Sequence, residues 1–242
     1  MSDFRDSAYA RYVSSFKGTH NSPEADNMAA WYGVKYYPLF RHLDHAAPVL
    51  DLGCGQGHFL HFLGQAGFSA AEGIDISAEQ IAVATAHGFK AGVADAFEFL
   101  AAHQGHYQMI AALDFVEHFS KPELLRLLPL LHGALRTDGL LLLQTPNGQG
   151  LLPGKIIYGD LTHMTILTPD SLRQLLQLNH FSDIRLLETG PTGKNLSGAV
   201  RLILWRLIKL LANSVRIIET GKPNELWSEN MICLCRKTTE ST

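Results

Sequence analysis

The residues of this chain that could do chemistry fall in short groups. The first is Val49-Leu50-Asp51-Leu52-Gly53-Cys54-Gly55-Gln56-Gly57-His58-Phe59-Leu60. An apolar run ends in an acid, alternating glycines follow, and a new apolar pattern begins at Phe59. Glycines let such a turn take positive φ and let a ligand approach without a Cβ in the way. The loop then offers free N–H groups and the positive end of a helix to a nucleotide-type ligand. Asp75 ends a second apolar run roughly 20 residues later, where a carboxylate can accept both hydroxyls of a ribose. A helix N-cap is the competing reading of Asp75, because Ser77 and Glu79-Gln80 open a helix. Asp114-Phe115-Val116-Glu117-His118 places two carboxylates and an imidazole together. Asp160-Leu161-Thr162-His163 brings a further imidazole, and a histidine with a pKa of about 6.5 suits proton removal from a hydroxyl near neutral pH.

These groups need elements to hold them. Pro48 to Leu52, Ser69 to Asp75, Phe89 to Val93, Tyr107 to Leu113 and Leu140 to Gln144 read as strands. Phe59 to Ala66, Gln80 to His87, Phe97 to Ala102 and Lys121 to about Leu135 read as the helices between them. Alternation of this kind predicts a doubly wound parallel sheet. Asp51, Asp75, Asp95 and Asp114 then fall at strand ends, where open sheets bind ligands.

The loop spacing discriminates. A dinucleotide fingerprint wants G-x-G-x-x-G, and the third glycine here is one place early. Asp51-x-Gly53-x-Gly55-x-Gly57, with the acids at successive strand ends, resembles the class I S-adenosylmethionine (SAM) methyltransferases over nearly the whole chain. The resemblance implies a Rossmann-like, seven-stranded, mostly parallel sheet with an antiparallel last strand and an N-terminal helical cap. It implies SAM as cofactor, held by Asp51, Gly53, Cys54, Gly55 and Gly57 on the methionine side. Asp75 would serve the ribose and Asp95 and Ala96 the adenine, with Ile76 and Asp114 also in the cofactor set. Asp95 also reads as an ordinary turn former.

Around this core, residues 1–45 form the expected cap, 46–147 the cofactor core, and 148–242 an acceptor loop, an amphipathic helix and closing strands. In the cap, Tyr9, Tyr12 and Phe16 share a helical face, and Ala29 to Leu43 predicts a second helix with Pro38 as a kink. Tyr32, Lys35 and Tyr36 are placed by the resemblance over the cofactor. Gly148 to Thr168 is irregular, and connections this long are usually functional. Its Asp160-x-Thr162-His163 stretch resembles bacterial methyltransferases of glycan and secondary-metabolite pathways. His163 is therefore the first candidate base and His118 the second. Asp114-x-x-Glu117-His118 resembles a stretch of ubiquinone-pathway O-methyltransferases associated with a divalent ion. Mg²⁺ on Asp114, Glu117 and His118 is thus an alternative to a bracing role without metal. His58 and His61 read as structural.

Pro169 to Leu178, capped by Thr168, reads as a helix. Asp183 to Leu187 and Asn230 to Arg236 read as the last strands. Between them, 196–218 carries Arg201, Arg206, Lys209 and Arg216 on one side and Leu, Ile and Trp on the other. That pattern predicts either a helix lying on a membrane surface or one packed on the sheet or on a second subunit of a homodimer.

Composition limits the function. The 242 residues are 46% hydrophobic and 18% charged, with net charge −3, which argues against general nucleic-acid binding. Three cysteines build no disulfide framework, and the first dozen residues lack the apolar stretch of a secretory signal. The expected location is cytoplasmic, with peripheral attachment at the inner face of the membrane as the variant. The leading expectation is O-methylation of a hydroxyl on a sugar, a lipid-linked glycan or a small metabolite. A quinone-type O-methyltransferase at the membrane surface, a non-catalytic SAM-binding protein and, remotely, a NAD oxidoreductase are its rivals.

Overall fold

A computed structural model describes residues 4–9, 22–193 and 195–238. Its frame is one seven-stranded sheet with strand order β3-β2-β1-β4-β5-β7-β6. The strands are β1 (Val49–Leu52), β2 (Ala71–Asp75), β3 (Ala91–Val93), β4 (Tyr107–Leu113), β5 (Leu135–Pro146), β6 (Phe181–Glu188) and β7 (Asn230–Lys237). β1 to β5 pair in parallel, and β7 inserts antiparallel between β5 and β6. This is the expected arrangement, a Rossmann-like sheet with one reversed strand.

Alternate residues of the central strands feed two cores. Leu50, Leu52, Ile110, Leu141 and Leu143 face one side and pack with Leu124, Leu127 and Leu131 of α7 (Lys121–Ala134). Val49, Met109, Ala111, Leu140 and Leu142 face the other side. There they meet Phe59 and Leu63 of α4 (His58–Gln65) and the aromatics of the N-terminal helices. Burial on both faces is why these strands read as continuous apolar runs.

The N-terminal segment differs from its sequence reading. α1 spans Phe4–Tyr9, and the rest of the expected Tyr9, Tyr12 and Phe16 face lies outside the described residues. In place of one helix over 29–43 there are α2 (Ser22–Lys35) and α3 (Tyr37–Phe40). Pro38 lacks an N–H and fixes its φ, so it begins the new helix rather than continuing the old one.

β5 also starts earlier than expected. The Asp138-Gly139 turn signal lies inside the strand as an irregularity, with Asp138 at φ 59° and a register shift opposite Tyr107 and Met109. The remaining helices are α5 (Ala78–Ala86), α6 (Ala96–Ala102), α8 (Gly154–Tyr158), α9 (Pro169–Leu178) and α10 (Leu196–Thr220). α8 gives the long 148–168 connection one helical turn that its glycines concealed.

Candidate active site

A cavity of about 590 Å³ opens at the carboxyl ends of β1, β2 and β4. Asp51, Gly53, Cys54, Gly55, Asp75, Ile76, Asp95, Ala96 and Asp114 all line it. The cavity thus brings together nearly the whole set of residues that the sequence assigned to the cofactor. Gly57 stands one residue behind the wall. It caps α4 at φ 87°, and a Cβ there would meet the Phe89 ring at 2.5 Å. Both its conformation and its packing exclude a side chain.

The acids have distinct environments. Asp51 is 2% exposed, and its Oδ2 has no hydrogen-bond partner. Burial, and then the charge of Asp75, push its carboxyl up to about 8. Asp75 accepts from Gly55 N–H at 3.0 Å and from Ser77 N–H at 2.8 Å. One carboxylate thus braces the glycine loop and the start of α5 together, while burial holds its pKa above the usual value. Asp95 caps α6 through Phe97 N–H and Glu98 N–H, so the turn reading and the cavity position both hold.

Asp114 takes φ 51° at the end of β4. The Gln144 amide donates to both of its oxygens at 2.9 Å, and the Tyr36 hydroxyl donates to Gln144 Oε1. Tyr36 is fully buried. Tyr32 lines the cavity and stacks on Tyr36 with ring centroids 5.5 Å apart. Burial, then the charges of Asp51 and Asp114, raise its hydroxyl well above the ordinary tyrosine range. Lys35 is not on the cavity wall. Its half-buried ammonium is lowered by desolvation and partly restored by Glu188. Gln144 was missed by sequence reasoning. Its signal was a polar residue ending the apolar run of β5, aligned with Leu113 across the ladder. His58, read as structural, also lines the cavity, whereas His61 binds Asp26 and Gln65 at the surface.

The two candidate bases meet. His118 closes a 3₁₀ turn, Val116–His118, and lines the cavity. The Glu117 carbonyl accepts from Met164 N–H at 2.7 Å and Thr165 N–H at 3.0 Å, which ties the 148–168 connection to that turn. His163 is thereby set with its ring centroid 5.0 Å from that of His118. Thr162 Oγ1 lies 2.9 Å from His118 Nδ1 and donates to Asp160 Oδ1 at 2.6 Å. Burial, with His163 beside it, pulls His118 down to about 4, so it is neutral at pH 7. His163 Nδ1 lies 3.2 Å from the Ile157 carbonyl, which can only accept. In the neutral ring the proton is therefore on Nδ1, which leaves the lone pair on Nε2.

The alternative metal set is not assembled as the sequence suggested. Glu117, His118 and His163 bring one ligand atom each within 4.8 Å of one another. Asp114 belongs instead to Gln144. Neither Glu117 oxygen has a hydrogen-bond partner, and the nearby Thr145 hydroxyl does not reach bonding geometry. Complete burial, with Asp114 near, pushes this carboxyl well above the usual range. The bracing of the turn falls to the Glu117 backbone carbonyl rather than to this carboxyl.

Residues 4–186 match the methyltransferase-domain family, and the chain belongs to it. A ubiquinone biosynthesis O-methyltransferase of Aromatoleum aromaticum is 35% identical over 80 residues, 31% of this chain and 34% of that protein. One from Sodalis glossinidius is 34% identical over 31% of this chain and 32% of its own length. The similarity thus spans about a third of these relatives. Among solved structures, a SAM-dependent methyltransferase from Archaeoglobus fulgidus has the same fold, with TM-score 0.68, 22% identity, and 95% and 99% of the two chains covered. A phosphoethanolamine N-methyltransferase 2 of Haemonchus contortus, in complex with SAM, follows at TM-score 0.62 and 14% identity, covering 96% and 60%.

The fold and the family match together define a methyltransferase-domain protein. The cavity fits SAM as the cofactor on its own evidence. The orphaned Oδ2 of Asp51 suits an ammonium, the glycine turn leaves room for close approach, and Asp75 and Asp95 stand along one wall.

Proposed function

We propose that the enzyme methylates a hydroxyl oxygen on a small or lipid-borne acceptor. The observation that carries this reading is the His118–His163 pair beside the cofactor cavity, with a lone pair on His163 Nε2. When bound, SAM supplies an electrophilic methyl group on a sulfonium. Asp51, Gly53, Gly55 and Asp75 would hold it, with Ile76, Asp95 and Ala96 at the adenine side. Asp114, fixed by Gln144, would face its sulfur end.

The chain's remaining task is to orient an acceptor and remove its proton. His163 Nε2 takes the proton. His118, neutral and held through Thr162 to Asp160, shapes the place where the hydroxyl sits. A neutral imidazole can serve in this way without a metal.

Two acceptor classes were open from the sequence: sugar, glycan or metabolite hydroxyls, and quinone-type ring hydroxyls. The relatives named as ubiquinone biosynthesis O-methyltransferases support the second. A ring hydroxyl also asks less of its base, since a phenol ionises near pH 10. The test is competition. Purified enzyme with labelled SAM is offered catechol-type quinol precursors or sugar-nucleotide and glycan hydroxyls. Label on the ring oxygen supports the quinone-type reading, and label on the glycan alone returns the acceptor to the other class.

A further inference from the structure

α10 is attached to the body by its polar side. Lys209 Nζ donates to Glu188 Oε2 at 2.6 Å, and the other Glu188 oxygen accepts from Trp227 N–H at 2.7 Å. Asn213 Oδ1 accepts from Asn224 N–H at 2.9 Å and from the Trp227 indole at 3.0 Å. Leu202 and Trp205, read from sequence as part of the apolar side, lie half-buried on this inward stripe. The rest of the apolar side therefore points away from the protein. Ile203, Leu204, Leu207, Leu211 and Val215 are exposed, up to 69% at Leu211, and no residue of the helix is buried. The outward half also holds Val200, Ile208, Leu210 and Ile218. A contiguous apolar face of this size marks a contact surface.

We propose that the outward face of α10 docks on a lipid bilayer carrying anionic headgroups, with the helix lying flat. Among the described residues, no helix is long and apolar enough to cross a membrane. The 25 residues of α10 instead give a rod about 37 Å long, suited to the interface. Arg201 and Arg206 are exposed at its two margins, where long basic side chains reach phosphate while their stems cover apolar surface. On the outward half and its margins, the described carboxylate is Glu219 in the last turn, already paired with Arg216 at 3.6 Å. A second copy seated here by two-fold symmetry would bring its own arginine margins to the same seam. Headgroup phosphates complement those arginines and a second copy does not.

The surface is joined to the catalytic loop. Leu151 N–H donates to the Trp227 carbonyl at 3.1 Å, and Gln149 shares a hollow with Ala212 and Val215 of α10. The same connection exposes Leu152, Tyr158 and Leu161 before it reaches His163. Bilayer docking would thus place the loop that carries His163 beside a lipid-borne acceptor.

The experiment is vesicle flotation of the full chain without cofactor or acceptor, so its result is independent of the acceptor reading. Vesicles of phosphatidylcholine alone are compared with vesicles that also contain phosphatidylglycerol. The protein should float with the anionic vesicles and bind neutral ones at least about tenfold more weakly. Leu207→Glu/Leu211→Glu should abolish flotation, and Arg201→Glu/Arg206→Glu should remove the preference for anionic lipid. Circular dichroism and SAM binding should be unchanged in both variants, because these side chains are outside both cores and the cavity. A wild-type protein that stays unbound with both vesicles overturns the proposal. So does a dimer by light scattering that Leu207→Glu/Leu211→Glu converts to monomer while flotation is absent.

Discussion

The Gln144 side-chain amide donates to both oxygens of the Asp114 carboxylate, at 2.9 Å each. Through its own oxygen Gln144 also accepts from Tyr36, so a buried phenol, the end of β5 and the mouth of the cavity form one chain. Asp114 is held in a left-handed conformation, and this clamp fixes where its carboxylate points.

Gln144→Ala should therefore do two things. It leaves the Tyr36 hydroxyl buried without a partner, which costs about 1–3 kcal/mol of stability. It also frees Asp114 and should weaken SAM binding. Tyr36→Phe leaves Gln144 Oε1 without its donor but keeps the Gln144 amide on Asp114, so it should also cost about 1–3 kcal/mol of stability while SAM binding stays near wild type. Denaturant unfolding and cofactor titration separate these effects. Equal losses of SAM affinity in both variants would show that the chain does not act as described.

Asp51 is the next test. With its pKa near 8 the carboxyl is mostly protonated at pH 7, and an ammonium placed beside Oδ2 would favour the charged form. Cofactor uptake at pH 7 should therefore release protons, which calorimetry in buffers of different ionisation enthalpy reads directly. A raised acid pKa works against stability as pH climbs from about 3.8 to 8. Asp51→Asn should accordingly stabilise the cofactor-free protein at pH 8 while weakening binding. Unchanged proton release in Asp51→Asn would move this role elsewhere.

His118 gives the opposite pH signature. Its folded pKa, about 4, lies below the unfolded 6.5, so its contribution is complete above pH 6.5 and is lost as pH falls toward 4. The loss should reach about 3 kcal/mol, since the ring is largely buried. His118→Asn should flatten that part of the stability profile relative to wild type. Parallel profiles for the two proteins would contradict the assignment.

His163→Ala should lower kcat by about 10²–10⁴ while cofactor affinity stays near wild type. Loss of both together would mean that His163 supports the cofactor wall rather than the proton transfer.

Legibility in the sequence followed locality. The glycine turn, Asp75, Asp95 and Asp114 could be read because each is set by a strand end and a few neighbours. Thr168 as the cap of α9 was readable for the same reason. The Tyr36–Gln144 bond joins residues far apart in the chain, and no local pattern announces it. The approach of His163 to His118 depends on Met164 and Thr165 bonding the Glu117 carbonyl, so the sequence supplied the candidates but not the pair. The turn residues Asp138-Gly139 concealed the first part of β5 because a strand irregularity uses the same residue types as a turn. For α10 the wheel separated a polar and an apolar side. It did not show that the Lys209–Glu188 pair would turn the polar side inward.

The most direct test of the central claim is methyl transfer itself. Purified enzyme, labelled SAM and an acceptor-containing membrane extract are incubated, and products are split by organic extraction and treated with mild alkali. The account predicts alkali-stable label in the organic phase, as an ether methyl on a lipid-soluble acceptor, and its loss in His163→Ala. Alkali-labile label, or no incorporation of bound cofactor's methyl group with acceptor present, would contradict it.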